Sequence, residues 1–115
     1  MKLVVGIVRP ERLDAVKQAL AAEQVFRLTV SDVQGVRPAS GGSAAARYAG
    51  GGTSPTAERM VKLEVAVNED FVEPTLRALS AARRDGGGEG DGCVFVLPLD
   101  EALRIRTGER GPDAI

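Results

Sequence analysis

Alternating apolar and polar positions along the chain predict four β-strands. In the third, Val61, Leu63 and Val65 alternate with charged residues, so one face is apolar and the other polar. In the second, Phe26, Leu28 and Val30 are expected to share a face. The predicted strands span residues 2–8, 25–33, 60–67 and 93–97. After them, one helical turn at 100–103 and a short strand at 104–106 are expected.

Two amphipathic helices are predicted between these strands. Leu13, Val16 and Leu20 recur at helical spacing after Pro10, which suits a first helical turn, so the first helix is expected over 10–22. The second helix is predicted to begin after Asn68, a typical N-cap, and to end near the arginines at 83 and 84. Its apolar stripe comprises Phe71, Val72, Thr75, Leu76 and Leu79.

The element order β-α-β-β-α-β predicts an α+β, ferredoxin-like fold, with a four-stranded antiparallel sheet and two helices on one face. The 115 residues are expected to form one domain, 1–115. The other face of the sheet also carries apolar residues, and a 12.0 kDa domain is modestly stable alone. We therefore expect a closed oligomer that buries the open face.

Two segments are too rich in small residues to anchor a core. Over 38–57, only Arg47 and Tyr48 interrupt a run of Gly, Ala, Ser, Thr and Pro, which predicts a long flexible loop. Residues 85–92 are rich in glycine, so backbone amides can turn toward one anion, although a mobile hairpin connection explains the same composition. Asp85, Glu89 and Asp91 are an alternative ligand set for a hard cation, but no EF-hand or repeated acidic pattern supports it, and no metal site is predicted.

Composition excludes several classes of function. The chain has no histidine, so Ser-His-Asp and Cys-His catalysis and His-ligated metal sites are excluded. Cys93 is the only cysteine, so an internal disulfide is excluded. Fifteen basic against sixteen acidic residues argue against a dedicated nucleic-acid binder. No apolar run approaches the length of a membrane span, and no signal peptide is evident, so a cytoplasmic protein is expected.

Two arginines near the end of the chain are candidates for anion binding. If 104–106 is a strand, the guanidinium groups of Arg104 and Arg106 lie on one face, which suits a polyphosphate or a carboxylate. The alternative is two surface arginines paired with Glu101 and Glu109.

Residues 104–111, RIRTGERG, followed by DAI at 113–115, resemble the C-terminal signature of the PII nitrogen-regulatory signal proteins. Other stretches agree with that family in the same order: IVRPERL at 7–13, LTV at 28–30 with Gly35, VKLEV at 61–65, and GDG at 90–92 before VFV. The resemblance covers nearly the whole chain except the long loop. It implies a homotrimer of ferredoxin-like subunits whose intersubunit clefts bind ATP or ADP.

The resemblance also implies which residues contact the nucleotide. Ile7, Thr29 and Glu64 would surround the adenine, and Gly35 and Arg37 would lie at the base of the long loop. Gly90, Asp91 and Gly92 would hold phosphates through backbone amides, while Arg104 and Arg106 would supply positive charge from across the subunit boundary. Glycine amides with paired arginines form an anion clamp that contains no catalytic base.

The chain departs from the family pattern at several positions. Cys93 stands where the family has a lysine after Gly-Asp-Gly; losing that charge-assisted contact, worth about 1.5–3 kcal/mol, lets ADP, AMP or a cyclic nucleotide compete with ATP. The family's 2-oxoglutarate site uses a glutamine at the loop base and a lysine before the third strand, where this chain has 35–39 GVRPA and Met60, so weak or no 2-oxoglutarate binding is expected. The family's modifiable tyrosine falls on Thr53, so nucleotidylylation is not expected.

These observations predict a non-enzymatic adenine-nucleotide sensor that controls a partner transporter or enzyme through its long loop. The expected ligands are ADP, ATP or AMP, with or without Mg²⁺, and bicarbonate is the second small anion to test; no covalent cofactor is expected. In the loop, Arg47 and Tyr48 are the candidate partner contacts, although a solvated Tyr48 is the alternative. One rival is a slow ATPase or other small enzyme with Asp91 or Glu64 as base. Another is a ferredoxin-like nucleic-acid binder, for which the strands offer only Phe26 and Phe95.

Overall fold

The strands pair into one antiparallel sheet in the computed structural model, which describes residues 1–37, 56–85 and 91–115. The strands are β1 (Lys2–Val8), β2 (Thr29–Arg37), β3 (Thr56–Val67) and β4 (Gly92–Pro98), and their order across the sheet is β2-β3-β1-β4. β1 pairs with β3 on one side and with β4 on the other, and β2 pairs with β3. This arrangement confirms the predicted ferredoxin-like α+β fold.

Two helices cover one face of the sheet. α1 (Leu13–Ala22) follows a 3-10 turn at Pro10–Arg12, and α2 (Val72–Leu79) lies between 3-10 turns at Glu69–Phe71 and Ser80–Ala82. Apolar side chains on the helices and on alternate positions of β1 and β3 form the core, because alternate strand residues point to the same face. The most completely buried of these are Val4, Val8, Val16, Leu20, Leu63 and Val65.

On β1 and β4, the opposite face of the sheet is apolar but has no cover in a single chain. Phe95 and Leu97 are 52% and 43% exposed, and Leu3 and Val5 beside them on β1 are only half-buried. Val4, one position along from both, is fully buried against the helices. Across β1 and β4 the two faces therefore differ in cover rather than in polarity, whereas β3 adds Lys62 and Glu64 to the open face.

The second strand was predicted too early in the chain. Val25 is buried, but its N–H donates to the Leu20 carbonyl oxygen (2.9 Å), so it closes the end of α1 instead of entering the sheet. Gln24 turns the chain with a φ of +62°, without the glycine that usually marks such a helix end. β2 consequently begins at Thr29, and Phe26 lies outside the strand with 71% of its surface exposed.

The β2–β3 ladder is longer than predicted. Arg37 pairs with Thr56 and Val36 with Ala57, so the last two residues of the predicted 38–57 loop belong to β3. The rest of that predicted loop, 38–55, lies outside the described residues, as do 86–90 of the glycine-rich segment.

The predictions for residues 100–106 are wrong. Residues 100–103 form no helical turn, and 104–106 form no strand. Instead, Leu103 forms an isolated bridge with Arg110, and the chain between them reverses through a turn in which the Gly108 N–H donates to the Arg104 carbonyl oxygen (2.8 Å). Gly108 and Gly111 have φ values of +75° and +74°, which glycine adopts without steric cost.

The start of α2 also differs from the prediction. The Asn68 side chain makes no capping hydrogen bond; its Nδ2 donates to the Pro112 carbonyl oxygen (3.0 Å) and so ties the C-terminal segment to the sheet. In the described ranges, no helix combines the length and the apolar character that crossing a membrane requires.

Candidate functional site

The larger of two clefts formed by the described residues holds three residues that the sequence assigned to nucleotide binding. It has a volume of ≈ 710 Å³ and lies between the α1–β2 connection, the end of β3 and the C-terminal segment. Thr29, Glu64 and Arg104 all line it, and Thr29 and Glu64 are directly paired across the β2–β3 ladder. A cleft of this size is in the range that binds small organic ligands.

Arg104 is held at the cleft by backbone and carboxylate partners. Its Nη2 donates to the Asp113 carbonyl oxygen (3.1 Å), and Nη1 lies 3.6 Å from Oε2 of Glu109. Its Nε is buried without a hydrogen-bond partner in the part of the chain that the structure describes. The guanidinium group therefore keeps one unused donor in a fixed position.

Arg106 does not join Arg104 on a common strand face. The turn after Arg104 leaves Arg106 exposed, and it lines neither the larger cleft nor the smaller one at the start of β4. The alternative pairing predicted for the arginines is met only in part: Glu109 pairs with Arg104, whereas Glu101 pairs with Arg110. Within the described part of a single chain, the two guanidinium groups therefore form no paired clamp.

Glu101 holds the C-terminal segment in place. Its Oε1 accepts hydrogen bonds from the N–H groups of Ala102 (3.2 Å) and Gly111 (3.0 Å), and its Oε2 accepts one from Arg110 Nη2 (2.9 Å). The Ala102 hydrogen bond, assisted by the charge of Arg110 and opposed by partial desolvation, lowers the pKa of Glu101 below its ordinary value.

A second, smaller cleft of ≈ 220 Å³ holds another part of the predicted site. Ile7, Asp91 and Gly92 line it, where the end of β1 meets the start of β4. Gly92 has a φ of +119°, and a Cβ there would overlap the Ile7 carbonyl oxygen. Glycine is therefore required for the backbone to enter β4 against Ile7.

The Asp91 carboxylate is engaged by Arg84. Arg84 Nε and the Arg84 backbone N–H both donate to it, the latter at 3.3 Å, so the two ends of the glycine-rich connection are joined. Desolvation acts to raise the pKa of Asp91, but the hydrogen bonds from Arg84 and the charges of Arg84 and Arg9 outweigh it, and the pKa is lowered. The described residues hold no group of three or more potential metal ligands, and Glu89 of the alternative cation set lies outside them.

Gly35 and Arg37 lie on β2, and Gly35 lines neither cleft. Gly35 pairs with Glu58, and a Cβ on it would come within 3.1 Å of Met60 Cγ. Met60, at the position where the resemblance places a lysine, is 6% exposed and fills the space beside Gly35. Arg37 is the last residue of β2. Gly90, Arg47 and Tyr48 lie outside the described residues.

The structure adds cleft residues that the sequence did not indicate. Phe26, Arg27, Asn68 and Phe71 line the larger cleft, and Arg84 holds Asp91 beside the smaller one. The sequence pattern places Phe26 on a strand and Phe71 in a core stripe, yet Phe71 is 39% exposed. The local sequence around Phe26 shows only apolar residues after Gln24. Such residues occur both in strands and in connections, so they do not indicate a cleft.

Comparison with known proteins gives a consistent result. Residues 1–109 match the sequence profile of the family described as "Nitrogen regulatory protein P-II". The chain is 44% identical to "Nitrogen regulatory protein GlnK1" of Methanosarcina mazei, over 100% of this chain and 97% of that protein. It is 40% identical to "Nitrogen regulatory protein P-II" of Cereibacter sphaeroides and 38% identical to the protein of the same name from Synechocystis, in each case over the full length of both.

Proposed function

Since the chain belongs to the nitrogen regulatory protein P-II family of signal-transduction regulators, we propose that it senses an adenine nucleotide and passes that signal to a partner protein. The nucleotide binds between subunits of a homotrimer. ADP, ATP and AMP are its candidate ligands, and a cytoplasmic location, where these nucleotides are made and used, is part of the proposal.

The division of the candidate residues between two clefts carries this proposal. One cleft has Thr29, Glu64 and Arg104, while the other has Ile7, Asp91 and Gly92. A nucleotide needs both a place for its base and donors for its phosphates, and the residues assigned to these roles are divided between the two clefts. Packing of one subunit's larger cleft beside its neighbour's smaller cleft completes the site.

The uncovered sheet face supports the assembly. Its apolar residues on β1 and β4, among them Val5 and Phe95, form a continuous surface that a second copy of the chain can bury. Closed symmetry is the usual outcome for homo-oligomers, since it leaves no such surface exposed.

The charges of the described residues favour sensing over catalysis. A general base works best when its pKa is near the working pH, whereas the pKa of Asp91 is lowered and its oxygens are engaged by Arg84. Glu64, the other candidate base, is paired with Lys62 at 3.3 Å. The relatives are likewise named as regulatory proteins.

The ligand set differs from the family pattern. Met60 is buried beside Gly35 and offers no charge to a dicarboxylate, so we expect little or no 2-oxoglutarate binding. Cys93 is exposed and unpaired by disulfide, and provides no countercharge for a third phosphate. A smaller anion such as bicarbonate is the second ligand to test. The regulated transporter or enzyme is proposed to contact the 38–57 segment, with Arg47 and Tyr48 as candidates.

Isothermal titration calorimetry tests the proposal directly. ADP, ATP, AMP and cyclic AMP are titrated into the protein with and without bicarbonate and 2-oxoglutarate. We expect an adenine nucleotide to bind, and Arg104→Ala to weaken it about 10-fold or more, because a hydrogen bond to a charged group contributes roughly 1.5–3 kcal/mol. Arg106→Ala is measured in parallel, since its contribution depends on the neighbouring subunit.

Lys17→Ala is the control, because Lys17 is an exposed cation on α1 whose nearest acidic partner is Asp14. It should leave the affinity unchanged. Absence of binding by every nucleotide at millimolar concentration would refute the proposal, as would a monomer in sedimentation.

A further inference from the structure

Two of the three phenylalanines of the chain line the larger cleft. Phe26 is 71% exposed and Phe71 is 39% exposed, whereas the third, Phe95, lies on the open sheet face. Phe26 contributes little to the core because most of its ring is outside it. Its ring lines the cleft instead.

The exposure of Phe26 results from the way its neighbours are anchored. Val25 is buried and bonded through its N–H to Leu20, and Leu28 packs against the core cluster. Because Val25 and Leu28 point into the core, the two residues between them, Phe26 and Arg27, point outward. The ring of Phe26 and the side chain of Arg27 are therefore presented to the cleft by a backbone that is held on both sides.

Two other residues that line the same cleft each carry a polar atom without a partner among the described residues. Arg104 Nε and Asn68 Oδ1 are buried and make no hydrogen bond within the described ranges. One is a donor and the other an acceptor, and Arg27 and Arg104 add positive charge. A cleft lined by an exposed aromatic ring, two arginines and a polar amide side chain suits a planar heteroaromatic group that carries an anion.

We propose that Phe26 stacks on the purine base of the bound nucleotide and makes the base, as well as the phosphates, a determinant of affinity. This inference rests on the proposed function, because it assumes that the larger cleft receives a nucleotide. Thr29 and Glu64, which line the same cleft, then contact the edge of the stacked ring.

Fluorescence offers a direct test because the chain has no tryptophan. Phe26→Trp places a single indole where the stacking is expected. Addition of ADP should quench or shift its emission, while inorganic pyrophosphate, which has no base, should not. Gln18→Trp, at an exposed position of α1 outside both clefts, is the control and should not respond to ADP.

Calorimetry with ADP on Phe26→Leu separates stacking from simple apolar contact. Leucine keeps an apolar side chain but has no aromatic face, so ADP affinity should fall about 10-fold, and Phe26→Trp should retain or increase it. The melting temperature of Phe26→Leu should stay near that of the unaltered protein, because the ring lies largely outside the core.

The outcomes distinguish this inference from the proposed function. If ADP binds but the emission of Phe26→Trp does not change, or if Phe26→Leu binds as well as the unaltered protein, the stacking role is wrong and the proposed function stands. If Phe26→Leu alters the oligomeric state in sedimentation, Phe26 contacts a neighbouring subunit and the stacking role is again wrong. If the unaltered protein binds no adenine nucleotide, the proposed function itself fails.

Discussion

Gly92 combines a φ of +119° with direct contact between its backbone and Ile7. Gly108 has a φ of +75°, yet a Cβ there would meet no atom within 4 Å. Both glycines adopt a positive φ, which disfavours a side chain at either position. Only at Gly92 would a Cβ also collide with neighbouring atoms, so the two positions separate backbone strain from steric overlap.

Replacing each glycine by alanine measures the two effects. Gly108→Ala should lower the free energy of unfolding by about 1 kcal/mol, from the backbone conformation alone. Gly92→Ala should lower it by about 3 kcal/mol, because the Ile7 carbonyl must also move. Thermal denaturation should show the difference, at about 4 °C for each kcal/mol in a chain of this size. Equal losses would mean that the contact with Ile7 relaxes at no cost.

The hydrogen bonds to Glu101 make its titration a test of the C-terminal segment. We expect an NMR-measured pKa below the ordinary glutamate value, because Ala102, Gly111 and Arg110 all donate to the carboxylate. The resulting stabilisation is present above the ordinary pKa and is lost as the pH falls through the lowered one. Arg110→Ala should raise the pKa toward the ordinary value. A pKa that is already ordinary in the unaltered protein would contradict the observed contacts.

At the scale of the elements, β3 connects the rest of the sheet. It pairs with both β1 and β2, and its inward residues pack beneath both helices. Leu63, at its centre, has no exposed surface. A substitution that disrupts β3 therefore affects both the core and the pairing that aligns Thr29 with Glu64 in the larger cleft.

Leu63→Ala should lower the free energy of unfolding by about 3 kcal/mol, because it removes buried methyl groups and leaves a cavity. Val36→Ala on β2, where 66% of the side chain is exposed, is the matched control and should change stability by less than about 0.5 kcal/mol. Urea denaturation measures both. Similar losses for the two variants would indicate that the centre of β3 does not belong to the packed core.

The sequence predicted the elements whose periodicity is strong and missed those that depend on distant contacts. β1 and the alternation of β3 were predicted correctly because their side-chain pattern follows burial directly. Val25 resembles a strand residue by composition, but its hydrogen bond to Leu20 assigns it to the end of α1. The turn after Arg104 depends on Leu103 meeting Arg110, a pairing that no local pattern indicates.

The sequence suggested residues for the candidate site, but not how the structure divides them between two clefts. Thr29, Glu64 and Arg104 do share a cleft, but the separation of Ile7 and Gly92 into another cleft follows from the sheet order. Phe26 was missed because its exposure depends on anchors on both sides, and the Arg84–Asp91 pair because it spans the glycine-rich connection.

At the scale of the whole molecule, the uncovered sheet face is the surface proposed to join the subunits. Phe95→Glu places a charge opposite Val5 on that face, where an interface would have to bury it unpaired. We expect this variant to sediment as a monomer and to lose nucleotide binding, since the proposed site is completed by a neighbouring subunit. Gln18→Glu adds the same charge to an exposed position of α1 and should change neither property. An assembled Phe95→Glu would show that another surface joins the subunits.

The distribution of Thr29, Glu64 and Arg104 on one side and Ile7, Asp91 and Gly92 on the other has a genetic consequence. An allele damaged at Arg104 and an allele damaged at Asp91 should each be defective when expressed alone. When both alleles are co-expressed they should complement each other. In the proposed mixed trimer, the unaltered larger cleft of the Asp91 variant can lie beside the unaltered smaller cleft of the Arg104 variant. Two alleles that both alter residues of the same cleft should not complement each other.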